Sequence, residues 1–382
     1  MKSKHQPIFH IVKREGTRWY HLPLSYFFAI AVALILGAIL LGIQNVPAGT
    51  FYKNMFTVGT LGNKFAYKNF EGFIRLFVPL LITSVSLSLA FRMKFWNIGG
   101  EGQFIIGALC AGFMAYKFGG ILPSAVMITL MSLAGMLGGG IYGAFVAVLK
   151  TKYNTNETLM TLMLNYIALY LLRFVAETKA DWNFFLSKES ARPLFANFPD
   201  TAKMLTLNTG LGSFRLNITL IIGILICSGI FIYLKHAKQG YEISVVGDSS
   251  STAHYAGMKV DIITIRTIFI SAAFIGLAGA FYASSAGVLS SSITNDVGWT
   301  GIIVAWLSKL NTIAIFVTSL LITILQYGSQ VASTAYPAVD ANFASLIQGI
   351  ILFSVLMADF FTRFRVVLYR NNAIAASQEV PK

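Results

Sequence analysis

Leu22–Ile43 reads LPLSYFFAIAVALILGAILLGI, without a single charged side chain. The hydrocarbon core of a bilayer needs about 20 such residues per helix. A cleavable signal peptide has an apolar run of only about 7–15, so this longer one reads as a retained membrane span. Lys2, Lys4, Lys13, Arg14 and Arg18 precede it and mark a cytoplasmic side. Further apolar runs follow at Phe73–Phe91, Gly102–Tyr116, Leu122–Leu149, Thr158–Val175 and Ile218–Leu234, then at Thr267–Leu289, Gly298–Leu307, Ile313–Tyr327 and Ser345–Phe361. The reading is an all-α polytopic membrane protein of about ten transmembrane helices. The third and eighth runs are short for a full crossing and predict broken or re-entrant helices.

Composition agrees with that reading. Of 382 residues, 56% are hydrophobic and 12% charged, about half the charge of a soluble domain. Lys and Arg total 29 against 15 Asp and Glu. In a soluble protein that excess would suggest nucleic acid. Here the orientation rule for membrane loops accounts for it, the partner is lipid, and no nucleic acid is implied. Ten crossings from a cytoplasmic N-terminus place most basic residues inside and both termini in the cytoplasm. The division is an N-terminal segment at 1–21, a membrane domain at 22–361 and a tail at 362–382. A nine- or eleven-span variant would export Arg363, Arg365 and Arg370.

Chemistry is sparse. Cys110 and Cys227 lie in apolar runs and read as small core residues. The five histidines have no metal-ligand spacing, so no metal site is expected. No nucleophile–base pair supports catalysis, and no cofactor is implied. The chain has no phosphate loop, so any use of ATP belongs to a partner. Two polar connections stand out by length, an outer one at 177–217 and an inner one at 235–266. The outer one mixes Trp182, Phe184, Phe185, Pro193 and Pro199 with charges, and reads as an interfacial helix or a platform for an extracytoplasmic partner. In the inner one, Asp248, Ser249, Ser250 and Ser251 supply helix N-cap chemistry and Gly257 a C-terminal stop. The two turns between them are too short to be stable alone. They must pack on something, as a small knob fitting a cleft or as an ordinary surface loop.

Gly240, Gly247, Ala253, Tyr255, Ala256 and Gly257 resemble the cytoplasmic loop of permease subunits from ATP-binding cassette importers of the branched-chain amino acid, simple sugar and nucleoside class. Asn97-Ile98-Gly99-Gly100-Glu101-Gly102-Gln103 is similar to that family's asparagine–glycine–glutamate signature. Thr155-Asn156-Glu157-Thr158, followed by TLMLNYIALYLL, is similar to its fourth-to-fifth connection. The resemblance runs from about residue 70 to 360 and leans toward the nucleoside-type permease. It departs at Ser244, where the family usually has arginine, at Ser249-Ser250, where asparagine–proline is common, and at His254. The resemblance implies a bacterial inner-membrane subunit that pairs with a second, related permease. Separate ATPase subunits would grip the inner-loop helix, and an extracytoplasmic binding protein would deliver a small polar solute. Nucleoside or purine-like cargo is favoured over riboflavin, sugar or amino acid. On this view Ala253→Glu uncouples transport without preventing insertion.

Within the spans, Asn97, Glu101, Gln103, Glu157 and Asn165 are the polar candidates for the translocation pathway. The alternatives are a helix-start role for Glu101 and Glu157 and interhelical glue for Asn165. Gly135, Gly138, Gly139, Gly140 and Gly143, with Gly276 and Gly279, have the small-residue spacing of close helix packing. Asn97-x-x-Gly100 is echoed by Asn295-x-x-Gly298 five spans later, as an inverted five-helix repeat requires. The rival function is an ion- or proton-coupled secondary transporter, which generally needs charge deep in the membrane. Here Arg75, Arg173 and Asp359 sit near span ends.

Overall fold

The computed structural model describes residues 9–13, 21–61, 66–208, 210, 213–336, 338–339 and 341–368. Of the basic residues used for orientation, Lys2, Lys4, Arg14, Arg18, Arg370 and Lys382 lie outside these. In chain order the elements are β1 (Phe9–Lys13), α1 (His21–Ile43), α2 (Ala48–Phe56), α3 (Ala66–Arg92), α4 (Gly100–Phe118), α5 (Ser124–Tyr153) and α6 (Glu157–Glu177). Then come β2 (Thr206–Asn208), β3 (Arg215–Asn217), α7 (Thr219–His236), α8 (Lys238–Asp248), α9 (Ser250–Tyr255), α10 (Val260–Ala286), α11 (Val297–Leu307), α12 (Thr312–Ser333), α13 (Ala341–Arg363) and β4 (Phe364–Leu368).

Each of the ten apolar runs is a helix. By length and composition α3, α5, α6, α7, α10, α12 and Ser345–Thr362 of α13 suffice to cross a membrane, while Phe27–Ile43 and Val297–Leu307 are shorter apolar stretches. The protein is a multi-pass, all-α membrane protein. Of the two runs expected to be short, α4 extends to 19 residues, because Gly100 and Glu101 join its first turn and Lys117 and Phe118 its last. α11 stays at 11 residues, about 16 Å at 1.5 Å per residue. α2 and α8 were not anticipated. Both are short and mix glycine and lysine with apolar residues, so neither stands out as an apolar run.

The chain folds as two units. The first comprises residues 1–52 and 332–382. In it α1 packs on α13, with Ser25 and Thr362 sharing a hydroxyl hydrogen bond of 2.9 Å. β1 pairs antiparallel with β4, from Phe9 opposite Leu368 to Lys13 opposite Phe364. The chain therefore enters α1 and leaves α13 at the same end.

The second unit, residues 53–331, is built around α3, α4, α5 and α10. Three helices meet there backbone to backbone. A Cβ on Gly276 would fall 2.2 Å from the Gly135 carbonyl oxygen, and one on Gly107 would fall 2.2 Å from that of Gly276. Gly139 faces the Ala272 carbonyl at 2.6 Å and Gly279 that of Phe104 at 2.2 Å. The 135–139–143 spacing therefore marks the α5 face against α10, with Gly276 as the shared crossing point. α3 adds a hydrogen-bonded seam, since Ser271 of α10 donates to the Ser86 carbonyl at 2.7 Å.

Among the described residues the outer connection holds no α-helix beyond the end of α6. It forms the β2–β3 hairpin, one 3-10 turn at Asp200–Ala202 and isolated bridges from Leu186 to Phe195 and from Asn197 to Val288. Its aromatics explain why: Phe185 and Phe198 are buried and pack edge-on against Tyr116 of α4. The segment is thus pinned to the helix ends. Outside the spans, the 2.7 Å hydrogen bond from Lys203 holds the Asp200 carboxyl below its usual range.

Gly276→Leu forces bulk between α4, α5 and α10, and overpacking of that kind costs about 1–3 kcal/mol. The detergent-solubilised variant is expected to unfold at a lower temperature or fail to accumulate in membranes. Gly229→Leu, at a glycine with nothing within 4 Å of its missing Cβ, should leave the melting curve unchanged.

Candidate coupling and translocation site

The inner connection is almost wholly helical. α8 folds back against α7 and the end of α3. Its two glycines permit that contact: a Cβ on Gly240 would lie 2.4 Å from the Tyr233 carbonyl oxygen, and one on Gly247 2.0 Å from that of Arg92. Ser244 donates to the Gly240 carbonyl one turn back (3.2 Å), and Glu242 pairs with Arg266 of α10 at 2.7 Å. α9 follows with the expected caps. Ser249 accepts from the Thr252 amide at 3.2 Å and shares a 2.9 Å bond with Ser251. Gly257 has φ +75°, a conformation glycine adopts without strain.

The two candidate contact residues of α9 point in opposite directions. Ala253 is fully buried, whereas Tyr255 is 98% exposed, with Ala256 and Gly257 exposed beside it. The alanine therefore anchors the stub on its own chain and the tyrosine is the projecting knob. Ala253→Glu would disrupt that anchoring, so Tyr255 is the residue with which to test coupling.

Beside α9 lies a cleft of about 460 Å³, lined in part by Lys94, Lys150, Glu157, Gly247, Asp248 and Asp261. Glu157 belongs here. It sits in the first turn of α6, as its helix-start reading expects, and pairs with Lys150 at 2.9 Å. Lys94 donates to the Asp248 carbonyl at 3.3 Å.

The other four polar candidates lie together at the start of α4. Asn97 and Gln103 form a reciprocal amide pair, at 3.2 and 3.0 Å, and both are buried. Asn165 of α6 accepts from the Gly102 amide and donates to the Ile98 carbonyl, each at 2.8 Å. Thr161 accepts from the Ile98 amide at 3.2 Å. The irregular stretch before α4 thus has its backbone groups met by side chains of α6. Glu101 reaches elsewhere: it accepts from the Gly298 amide at 2.8 Å and so caps the start of α11. The two helix starts are in contact, for a Cβ on Gly298 would lie 2.3 Å from the Glu101 nitrogen. The Asn97-x-x-Gly100 and Asn295-x-x-Gly298 echo therefore corresponds to a physical meeting of the two segments. Sequence reading did not anticipate this partner, which is 197 positions away.

Removing the Glu101 carboxylate leaves a buried amide unmet, a loss of about 1–3 kcal/mol. Glu101→Ala is expected to lower the melting temperature in detergent, and Glu101→Gln, which keeps an acceptor, to restore most of it.

Comparison with known proteins follows the same lines. A glucose ABC transporter permease of Haloferax volcanii is 26% identical over 340 residues, 88% of each chain. A nucleoside ABC transporter permease of Lactococcus lactis is 27% identical over 368 residues, 93% of this chain and 95% of the relative. A guanosine ABC transporter permease of Bacillus subtilis is 26% identical over 314 residues, 79% of this chain and 84% of the relative. No solved structure matches. Residues 69–356, which contain both the α4–α11 junction and the α8–α9 stub, match the family described as branched-chain amino acid transport system, permease component, and the chain belongs to that family.

Proposed function

We propose that this chain forms one half of the translocation pathway of an ATP-binding cassette importer for nucleosides, with a second permease as its other half. An ATPase works with it as the motor, and an extracytoplasmic binding protein hands over the solute. The observation that carries the reading is α9: a capped stub, rooted by Ala253 and presenting Tyr255 to a partner beside an acidic and basic cleft. Relatives that transport nucleoside and guanosine by name support the cargo. The basic-residue bias puts α9 and both termini in the cytoplasm, and the pairing of β1 with β4 favours both ends on one side. The outer segment at 177–217 then faces the binding protein.

A contact path supports transmission from α9 inward. α8 rests through Gly247 on the Arg92 carbonyl. The Arg92 guanidinium donates to the Leu310 carbonyl just past the end of α11, at 2.6 Å. The start of α11 is held by Glu101. A push on α9 therefore reaches the α4–α11 junction through three direct contacts. Transport follows if ATPase closure favours one arrangement of that junction over the other, since only differential binding shifts such an equilibrium.

Truncating an exposed aromatic anchor at an interface commonly costs a factor of about ten or more. Tyr255→Ala is accordingly expected to cut ATP-driven uptake of labelled guanosine about tenfold while the amount of chain in the membrane stays unchanged. Wild-type uptake by Tyr255→Ala would remove α9 from the mechanism. Orientation is tested separately: a cysteine at Tyr255 should react with impermeant maleimide only after permeabilisation, and one at Thr206 in intact cells.

A further inference from the structure

The aromatic side chains on the outward face of α6 form a line. Tyr166, Tyr170 and Phe174 recur at every fourth residue, which puts them on one side of the helix. Tyr166 is 50% exposed, Tyr170 61% and Phe174 54%. The line continues into the outer segment, because the exposed Trp182 stacks on Phe174 with ring centroids 5.7 Å apart and planes 20° from parallel. The Arg173 guanidinium lies over the Tyr170 ring at 5.9 Å. The opposite side of α6 is occupied, since Thr161 and Asn165 hold the segment that leads into α4.

Depth decides what the exposed face can meet. The Lys150–Glu157 ion pair closes the connection between α5 and α6, and its charges mark the inner edge of the hydrocarbon. Tyr166 follows Glu157 by nine positions. That is about 14 Å along the helix at 1.5 Å per residue, against about 15 Å for half of a bilayer core. The residue therefore lies at mid-membrane. Ile141 of α5 precedes Lys150 by the same nine positions and lies at the same level. Its neighbour Tyr142 donates to the Leu164 carbonyl at 2.8 Å, which ties the two helices together there.

At that level α5 and α6 differ. α5 exposes Leu133, Leu137 and Ile141, which have no polar atom to satisfy, and its phenol at Tyr142 is spent inward. Among the described residues the Tyr166 and Tyr170 hydroxyls have no hydrogen-bond partner. A tyrosine that faces lipid belongs at the headgroup level, where its hydroxyl meets water. At mid-membrane lipid offers no such partner, and an unmet hydroxyl is costly. The face is satisfied if it borders a wet path. The polar groups of Asn97, Gln103 and Asn165, by contrast, are engaged by one another and by the backbone.

We infer that Tyr166 and Tyr170, approached from the outer segment through Trp182 and Phe174, form an aromatic track that lines the solute path to mid-membrane and on which the flat base of a nucleoside stacks. Every base has a face that stacks on an aromatic ring. A row of rings one turn apart therefore passes such a solute along without a fixed set of hydrogen bonds, while the phenol hydroxyls keep their water. The cargo and the direction of travel rest on the importer reading above, and the track supplies residues for its pathway.

The test places Tyr166→Cys, Tyr170→Cys or Ile141→Cys in a chain carrying Cys110→Ala and Cys227→Ala, within the full transporter in proteoliposomes. The readout is the rate of reaction with a membrane-impermeant trimethylammonium methanethiosulfonate. Only a hydrated thiol ionises and reacts, so cysteines at 166 and 170 should react about tenfold or more faster than the one at 141. Equally slow reaction at 166 and 141 overturns the track. In parallel, Tyr166→Leu should cut ATP-driven uptake of labelled guanosine about tenfold, the scale of a lost base–ring stack. Tyr166→Phe, which keeps the ring, should stay within about twofold of wild type. Wild-type uptake in Tyr166→Leu, or an equal loss in Tyr166→Phe, overturns stacking on the ring. A reactive Tyr166→Cys with no ATP-driven uptake in the wild-type transporter keeps the wet face and sinks the importer. ATP-driven uptake together with an unreactive Tyr166→Cys keeps the importer and sinks the track.

Discussion

A helix that begins inside a membrane protein has N–H groups that no water can satisfy, so the chain itself must supply acceptors. The junction of α4 and α11 meets that constraint with few parts. Asn165 accepts from the first turn of α4, and Glu101 of that same turn accepts from the first turn of α11. Two helix starts, each carrying partial positive charge, are brought together with a carboxylate between them. Gly298 makes the approach possible, because a Cβ there would meet the Glu101 backbone nitrogen at 2.3 Å. The glycines of α5 and α10 do the same for the surrounding helices.

That arrangement gives the two ends of the protein different mechanical characters. The core around Gly135, Gly139 and Gly276 is in backbone contact and has little room to slide. The α8–α9 stub is held through Gly240, Gly247, the buried Ile243 and Ala253, the Glu242–Arg266 pair and the Lys94 contact. These contacts lead to the end of α3, through Arg92 and Lys94, and to α10, through Arg266. Physical coupling of this kind needs an element with two arrangements that both sites bias, and the short, end-held α11 has the right connections for that role.

How much of this was legible beforehand depends on distance along the chain. Apolar runs and glycine spacing are local signals, and both led to the correct helices and the correct packing face. The caps of α9, from Ser249 and Gly257, are local too. The opposite facing of Ala253 and Tyr255 could not be read, because a six-residue helix carries too few apolar positions to define a buried side. α8 was hidden because Lys238, Gln239, Glu242 and Asp248 dilute its apolar face. The Glu101–Gly298 bond joins segments 197 residues apart, so only the fold reveals it. Asn97 and Asn165 illustrate the remaining ambiguity: amides of either role look alike in sequence, and the structure gives both of them backbone groups to hold.

The central claim is that the chain is a passive conduit moved by a separate motor. The most direct measurement is solute accumulation in proteoliposomes, with the chain reconstituted alone under proton and sodium gradients and then with its ATPase, partner permease and binding protein plus ATP. The account predicts uphill accumulation of labelled nucleoside only in the second case. Accumulation by the chain alone, driven by an ion gradient without nucleotide, would contradict it.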